Sequence, residues 1–386
     1  MTSLQTVALT PELFRGVIEL ERTSDGFLPH RLPAWVRAQC PDPQLLMVEA
    51  QPSGVRLAVH TEATTLELDT IPTKRVYAGM APRPDGVYDL LVDGQLAAQG
   101  TVEGGSTMTI DLATGNATIA PGEPGTLRFS GLSPGAKDLE IWLPHDEQTE
   151  VVGLRSDSPV TPVDDSARPV WLHHGSSISH GSNATSPTST WPAIAAGLTG
   201  SHLVNLGLGG SALLDPFLAR VLRDTPADVI SLELGINVVN TDLMRLRALG
   251  PAVHGLLDTL REGHPSTPLV VISPILCPIH EETPGPSAPD LEALGRGELR
   301  FLAAGDPAEV ATGKLTLRVI REELQRIVVQ RSTADPHLHY LDGRSLYGDE
   351  DTARLPLPDA LHPDTPTHRL IGERFAQLMP ASPRRT

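Results

Sequence analysis

The first 160 residues alternate apolar and polar positions with a period of two. The stretch SGVRLAVHT places Val55, Leu57 and Val59 on one side, and TTLELDT repeats the pattern a few residues later. Further stretches of this kind follow, separated by turns rich in glycine and proline. Because successive side chains of a strand point to opposite faces, this period indicates antiparallel strands with one solvated face. We therefore predict an all-β sandwich of the jelly-roll type over residues 1–160.

The pattern changes after SDSPVTPVDDSARP, residues 156–169, which contains little to bury and predicts a linker. Short apolar runs such as PVWLHH, HLVNLGL and DVISLEL then alternate with helix-like stretches. Near-continuous apolar strands between helices favour a parallel sheet covered on both faces. We predict an α/β domain over 161–386. A Pro- and Gly-rich insertion at about 278–314 is typical of a lid or binding loop, with disorder as the alternative.

Polar residues follow the predicted strands of this second domain. GSSISHG, GLGGSA and GINVVN each come directly after an apolar run, and DALHPD precedes the last helix-like stretch. In parallel sheets, functional side chains lie just past the carboxyl ends of the strands. A serine there becomes a nucleophile when an imidazole accepts its proton, and a carboxylate three residues before a histidine on one helical turn could orient that imidazole. Glycine N–H groups and an asparagine amide could stabilise an oxyanion.

These four blocks, in this order, resemble those of the SGNH (GDSL-type) esterases and acyltransferases, whose fold is flavodoxin-like. Gly-Asp-Ser-x-x-x-Gly corresponds to GSSISHG, Asn-x-x-x-x-Gly to NLGLGG, Gly-x-Asn to GIN and Asp-x-x-His to DALH. The resemblance covers residues 170 to about 380. It implies a catalytic triad of Ser177, Asp359 and His362. It also implies an oxyanion hole formed by the N–H groups of Ser177 and Gly210 and the amide of Asn237.

The chain departs from the family pattern at two positions. Ser176 stands where the first block has aspartate, and Val238 stands where aspartate usually follows Asn237. The resemblance gives neither position a triad or oxyanion role, so we expect an altered site that keeps its catalysis. No Gly-x-Ser-x-Gly elbow occurs near a strand end, which argues against the α/β-hydrolase fold. Ser179 as nucleophile and Asp364 as the orienting carboxylate are weaker alternatives, and Asn237 could instead cap a helix.

Several further residues could bind substrate or metal. His180 and Ser182 follow the predicted nucleophile on the same turn, and Phe301 lies in the insertion, where it could cover an acyl group. Of the adjacent His173 and His174, one is expected to be buried and the other to line the site. Two more histidines, His337 and His339, share a strand face, but no third ligand follows at a recognisable spacing, so we predict no metal site.

The composition limits the kinds of partner and the cellular compartments that are compatible with this protein. The 386 residues carry a formal charge of −17, which argues against a nucleic-acid partner because such proteins concentrate lysine and arginine. Two cysteines give no disulfide framework, and a reducing compartment is the simpler interpretation. The sequence shows neither a secretory leader nor an apolar run long enough for a membrane span. We therefore predict a cytoplasmic protein.

The predicted triad forms an acyl-enzyme, and the next acceptor decides the reaction: water gives an esterase and a bound alcohol an acyltransferase. A sandwich before an SGNH domain is similar to secreted carbohydrate esterases and to salicylyl acyltransferases of tetracycline-type polyketide tailoring, which use a CoA thioester. The missing leader and the long insertion favour the acyltransferase. We expect acyl-CoA as co-substrate, a small-molecule hydroxyl acceptor and no cofactor. The alternatives are an esterase, or a binding protein with an inactive second domain, which an intact triad disfavours.

Overall fold

A computed structural model describes residues 3–80, 83–111, 114 and 116–380. Its contacts divide the chain into two compact units. The first unit contains the chain up to Ala34, Leu46–Ser166 and Ser186–Thr188. The second contains Trp35–Leu45, Ala167–Thr185 and the chain from Ser189 onward. A short segment from the N-terminal part of the sequence therefore lies in the second unit.

The first unit consists mainly of short strands. In chain order they are β1 (Gln5–Val7), β2 (Phe14–Arg15), β3 (Glu19–Arg22), β4 (Phe27–His30), β5 (Arg56–Thr61), β6 (Thr65–Tyr77), β7 (Tyr88–Val92), β8 (Gln95–Gly100), β9 (Ser106–Ile110), β10 (Ala117–Ala120), β11 (Gly125–Ser130), β12 (Lys137–Trp142), β13 (Gln148–Ser156) and β14 (Val160–Pro162). Helices α1 (Ala34–Gln39) and α2 (Pro43–Glu49) come between β4 and β5 along the chain.

These strands form two sheets that share one core. The first sheet has the order β10-β9-β6-β13-β4-β3, with β1 beside β13 and β11 beside β6. The second has the order β14-β5-β12-β7-β8, with β2 beside β5. Leu68 of β6 and Leu127 of β11, which are register partners, pack with Leu57 of β5 and Ile141 of β12. Face-to-face packing of two sheets confirms the predicted sandwich.

Two details of the first unit differ from the predictions. Strands β6 and β9 pair in parallel, whereas the period-two pattern predicted antiparallel neighbours; that pattern reports which face is buried and not strand direction. Strand β14 lies inside the stretch predicted to be a linker. It pairs with β5, and Val160 packs against the core, so this stretch adds an edge strand to the second sheet.

The second unit alternates strands and helices. In chain order they are β15 (Val170–Gly175), α3 (Ser177–His180), α4 (Trp191–Thr199), β16 (His202–Gly207), α5 (Pro216–Asp224), β17 (Val229–Glu233), α6 (Ile236–Asn240), α7 (Leu246–Gly263), β18 (Leu269–Ile272), β19 (Ser287–Pro289), α8 (Leu291–Gly295), β20 (Phe301–Ala303), α9 (Leu317–Ser332), β21 (Leu338–Leu341), α10 (Asp349–Arg354) and α11 (Thr365–Leu378).

Five of these strands form a parallel sheet with the order β16-β15-β17-β18-β21. This is the flavodoxin-like order, and the direction of winding reverses between β15 and β17. The predicted fold class is therefore confirmed. All five residues of β17 are buried, as expected for a strand covered on both faces. Trp171, Trp191 and Phe375 pack together on one side of the sheet and belong to the core.

The insertion contains regular structure. Strands β19 and β20 pair as an antiparallel hairpin around α8, so disorder, the alternative interpretation, does not apply to this segment. Among the described residues, no helix combines the length and the apolarity needed to cross a membrane.

Candidate active site

The loop after β15 turns sharply into a single helical turn. Ser176 caps α3 by accepting the Ile178 N–H with its hydroxyl, at 3.2 Å. Gly181 ends the turn in the left-handed region, with φ of 109°, and donates its N–H to the Ser177 carbonyl at 3.0 Å. Ser177 is therefore the first residue of a helix that begins at the carboxyl end of a central strand, where strand winding reverses.

A histidine and an aspartate from the far end of the chain meet Ser177. His362 Nε2 lies 3.0 Å from Ser177 Oγ, and His362 Nδ1 lies 2.7 Å from Asp359 Oδ2. Since an aspartate that accepts the Nδ1 proton leaves Nε2 free to accept one, the geometry suits transfer of the serine proton to the imidazole. The structure thus brings together all three residues that the sequence predicted as a triad.

The Asp359–His362 segment is not a helical turn, contrary to the prediction. Ala360 is in the left-handed region, with φ of 67°, and α11 begins only at Thr365. Asp359 Oδ1 instead accepts the N–H groups of Leu361 at 2.9 Å and His362 at 2.7 Å. An aspartate side chain that binds the backbone two and three residues ahead builds its own turn. This turn brings the two side chains together.

Asn183 is a site residue that the sequence analysis missed. Its Nδ2 donates to Asp359 Oδ2 at 3.1 Å, so this oxygen accepts from both Asn183 and His362. Burial raises the pKa of Asp359, but the hydrogen bonds from His362 and Leu361 outweigh burial and leave it below its ordinary value. The carboxylate is therefore charged at neutral pH. Asn183 itself has a φ of 65°, a conformation that asparagine tolerates better than most residues.

The predicted oxyanion donors come after the two strands that flank β15. Gly210, with φ of 74°, follows β16, and Asn237 lies in α6, after β17. Asn237 Oδ1 accepts the Ala212 N–H at 3.1 Å, which leaves the Nδ2 group to donate elsewhere. Asn237 is inside its helix and Gly235 is the N-cap, so the capping alternative is wrong.

Gln44 is a second residue that sequence reasoning missed. Its Nε2 donates to the Gly209 carbonyl at 2.8 Å. In a trans peptide the C=O and the following N–H point in opposite directions, so this bond also fixes the direction of the Gly210 N–H. No local signal could have identified Gln44, because 165 positions separate it from its partner.

The remaining binding candidates differ in their surroundings. The Phe301 ring meets the His362 ring edge-on, with centroids 5.7 Å apart, and the Phe301 N–H donates to the Asp359 carbonyl at 2.9 Å. His180 is buried, and its Nδ1 donates to the Gly207 carbonyl at 3.2 Å. Ser182 is half-buried. Substrate binding by these three residues stays a prediction.

The alternatives are resolved by their positions. Ser179 is fully buried and contacts His173, not His362, and Asp364 caps α11 by accepting the Thr367 N–H. Both His173 and His174 are fully buried, so the expectation that one of them lines the site is wrong; the apolar strand β15 carries both inside. In the described part of the chain, no group of three or more His, Cys, Asp or Glu side chains is arranged to hold a metal ion.

Comparison with known proteins supports the same family. The model of the GDSL-like lipase/acylhydrolase family matches residues 168–277. The solved structure of salicylyl-acyltransferase SsfX3 from a tetracycline biosynthetic pathway is similar over 96% of this chain and 95% of its own, with 30% identity and a TM-score of 0.77. The chain belongs to the GDSL-like lipase/acylhydrolase family. It is therefore an enzyme of acyl transfer or ester hydrolysis.

Other solved structures share the fold at lower identity. A Bacteroides ovatus protein described as a GDSL-like lipase matches 99% of this chain and 100% of its own, at 17% identity and a TM-score of 0.68. A family two carbohydrate esterase from Clostridium thermocellum matches 84% of this chain and 91% of its own, at 14% identity and a TM-score of 0.55. A comparison with curated protein sequences found no significant match.

Proposed function

We propose that the protein is a serine acyltransferase that works through an acyl-enzyme on Ser177. One observation supports this most strongly: Ser177, His362 and Asp359 form an unbroken chain of hydrogen bonds of 3.0 Å and 2.7 Å. We propose a CoA thioester as the donor and a hydroxyl of a small molecule as the acceptor. The full-length similarity to a salicylyl-acyltransferase supports an aromatic acyl group and a tetracycline-type polyketide acceptor. Such a donor would be available in the cytoplasm, where we propose that the enzyme acts.

The first half-reaction would transfer the acyl group to the enzyme. Ser177 Oγ attacks the thioester carbon while His362 Nε2 accepts the hydroxyl proton, and Asp359 stays ionised and holds the imidazolium. The oxyanion would be stabilised by the N–H groups of Ser177 and Gly210 and by the amide of Asn237. Removal of any one of these donors would raise the activation barrier by about 3 kcal/mol. The C–S bond then breaks, and the thiolate leaves as CoA thiol with the proton from His362.

The second half-reaction would reverse these roles. The acceptor hydroxyl gives its proton to His362 and attacks the acyl carbon, forming a new C–O bond. The intermediate collapses, the bond to Ser177 breaks, and His362 returns the proton to the serine oxygen. Water could replace the acceptor, which is the esterase alternative. The Phe301 ring beside His362 supports the transferase, because an apolar cover limits the access of water to the base.

The test combines product analysis with a nucleophile variant. Purified protein is incubated with salicylyl-CoA and a polycyclic phenol, and intact mass and products are followed. We expect an acylated protein and an ester product from the wild type, and neither from Ser177→Ala. If free acid is the sole product, the protein is an esterase and the transferase proposal is wrong. Wild-type turnover by Ser177→Ala would refute the assignment of the nucleophile, and the absence of labelling by a fluorophosphonate would favour a binding protein.

A further inference from the structure

A chain of buried polar side chains lies beneath the predicted nucleophile. The Trp171 indole N–H donates to Ser231 Oγ at 2.8 Å, and Ser231 Oγ lies 2.7 Å from His173 Nδ1. His173 Nε2 lies 2.8 Å from Ser179 Oγ, which donates to Glu233 Oε2 at 3.2 Å. None of the five side chains belongs to the triad or the proposed oxyanion hole, and all five are buried. Buried polar groups on this scale require a reason.

The donors in this chain can all point the same way. Burial, and then the neighbouring His174, lower the pKa of His173 to about 3, so its imidazole is neutral and carries one proton. The indole N–H can only donate, so Ser231 accepts it and has its own proton to give to Nδ1. His173 Nε2 then donates to Ser179, whose proton goes to Glu233. In this arrangement each hydroxyl both accepts and donates, and the Glu233 carboxyl is the final acceptor.

Glu233, the last member of this series of hydrogen-bonded side chains, contacts the loop that carries the nucleophile. Glu233 Oε2 also accepts the backbone N–H of Ser176 at 2.7 Å, and Ser176 is the residue that precedes Ser177 and caps α3. Gly175 permits this approach, since a Cβ at that position would collide with the Ser179 hydroxyl and with the Glu233 carboxyl. Two donors of the loop and its helix, the Ser176 N–H and the Ser179 hydroxyl, therefore share a single acceptor, Glu233 Oε2.

We propose that Glu233 is a positioning residue for the nucleophile. By holding the Ser176 N–H, it fixes the chain where it enters α3, and so directs both the hydroxyl and the N–H of Ser177. This inference rests on the proposed role of Ser177. Its physical basis is that a misplacement of about 1 Å in a reacting group can cost about 100-fold in rate.

The role requires an acceptor oxygen and not a negative charge. A charged carboxylate buried this close to the loop would repel an oxyanion that forms at the Ser177 N–H. Burial also favours the uncharged carboxyl and raises the pKa of Glu233, against the opposing hydrogen bonds from Ser176 and Ser179. A neutral amide, which keeps a carbonyl oxygen, should therefore substitute for the carboxyl, whereas an apolar side chain of the same length should not.

The experiment compares Glu233→Gln with Glu233→Met in the full-length protein. The rates of acyl-enzyme formation and of turnover are measured with an activated ester. We expect Glu233→Gln to keep kcat within about threefold of the wild type, and Glu233→Met to lower it about 100-fold with KM unchanged. Asp351→Asn is the matched control, since it alters a buried carboxylate that pairs with Arg374 in the same unit. It should lower the melting temperature without lowering kcat.

Three outcomes would overturn the proposal. Glu233→Met could turn over at the wild-type rate. Alternatively, the Asp351→Asn control could lose as much kcat, relative to its loss of melting temperature, as Glu233→Met does. Glu233→Gln could also be as slow as Glu233→Met with a displaced pH profile, which would show that charge is what matters. Failure of the proposed function is distinguished by a separate variant. If Ser177→Ala is active, Ser177 is not the nucleophile and the proposed function fails. If Ser177→Ala is inactive, the results for the Glu233 variants test only the role of Glu233.

Discussion

Replacing Asp359 by asparagine changes one oxygen into an amino group and tests how the imidazole is oriented. Asp359 Oδ1 accepts two backbone N–H groups, from Leu361 and His362, so the amide oxygen of the variant must stay at that position. The amide nitrogen then occupies the place of Oδ2, where it faces His362 Nδ1 and Asn183 Nδ2. His362 Nδ1 must become an acceptor, which moves its proton to Nε2, and Nε2 can no longer accept the proton of Ser177.

The expected loss of kcat follows from this tautomer. Where the same exchange has been made in a serine protease triad, kcat falls about 10⁴-fold, which corresponds to about 5.5 kcal/mol of the barrier. We expect a loss of about 10³- to 10⁴-fold for Asp359→Asn in the hydrolysis of a chromogenic ester, with KM little changed. Asp364→Asn is the control, because Asp364 caps α11 and does not contact His362, and asparagine caps a helix equally well. An Asp359→Asn enzyme that keeps a tenth of wild-type kcat would contradict this reasoning.

A second substitution separates stability from rate. In Asp359→Asn two amide donors face each other, one from position 359 and one from Asn183, which should lower the melting temperature. Adding Asn183→Asp supplies an acceptor at that place, so we expect the double variant to regain thermal stability. His362 would still have the unsuitable tautomer, so kcat should stay low. Recovery of kcat in the double variant would show that packing, and not the tautomer, limits the single variant.

The other predictions concern separate parts of the molecule. Gln44→Ala should lower kcat about tenfold at constant KM, because the Gly209 carbonyl loses its partner, and Gln44→Glu should lower it further; equal rates would contradict the role of this bond. Phe301→Ala removes a ring contact with His362 worth about 1 kcal/mol and should raise the ratio of free acid to transferred ester, whereas Phe301→Leu should raise it less. Burial, and then Asp146, raise the pKa of Glu147 from 4.5 to about 7, so its contribution to stability is complete below pH 4.5 and is lost as the pH rises through 7. In denaturant unfolding, the free energy of unfolding of Glu147→Gln should rise relative to that of the wild type by up to about 3 kcal/mol between pH 5 and pH 8. If the difference between the two proteins is the same at both pH values, the pKa of Glu147 is not raised.

The parts of the structure that depend on local pattern were predictable from the sequence. All five residues of β17 are buried, and the apolar Val229, Ile230 and Leu232 mark this strand in the sequence although Ser231 and Glu233 are polar. Three of the four polar blocks follow strand ends, and the parallel order of the sheet necessarily collects such ends at one edge. The resemblance of these blocks to those of the SGNH family is what allowed Ser177, Asp359 and His362 to be named without coordinates.

The parts that depend on distant contacts were not predictable. The spacing of Asp359 and His362 suits a helical turn, and only the left-handed φ of Ala360 shows that the segment builds a different turn. Asn183 and Gln44 are single polar residues whose partners lie far along the chain, and no period or motif distinguishes them from ordinary surface residues.

The place of Trp35–Leu45 in the second unit has a consequence for synthesis. Gln39 accepts a hydrogen bond from Arg220 at 2.8 Å, the Arg220 guanidinium lies 5.0 Å from the centre of the Trp35 ring, and Gln44 holds the loop after β16. This segment leaves the ribosome more than 100 residues before the loop and the helix that it contacts. The sandwich sequence is translated in between, so the contacts of this segment with the rest of the second unit can form only after the sandwich sequence has been synthesised. Expression starting at Ala167 should yield a protein whose loop after β16 lacks its anchor.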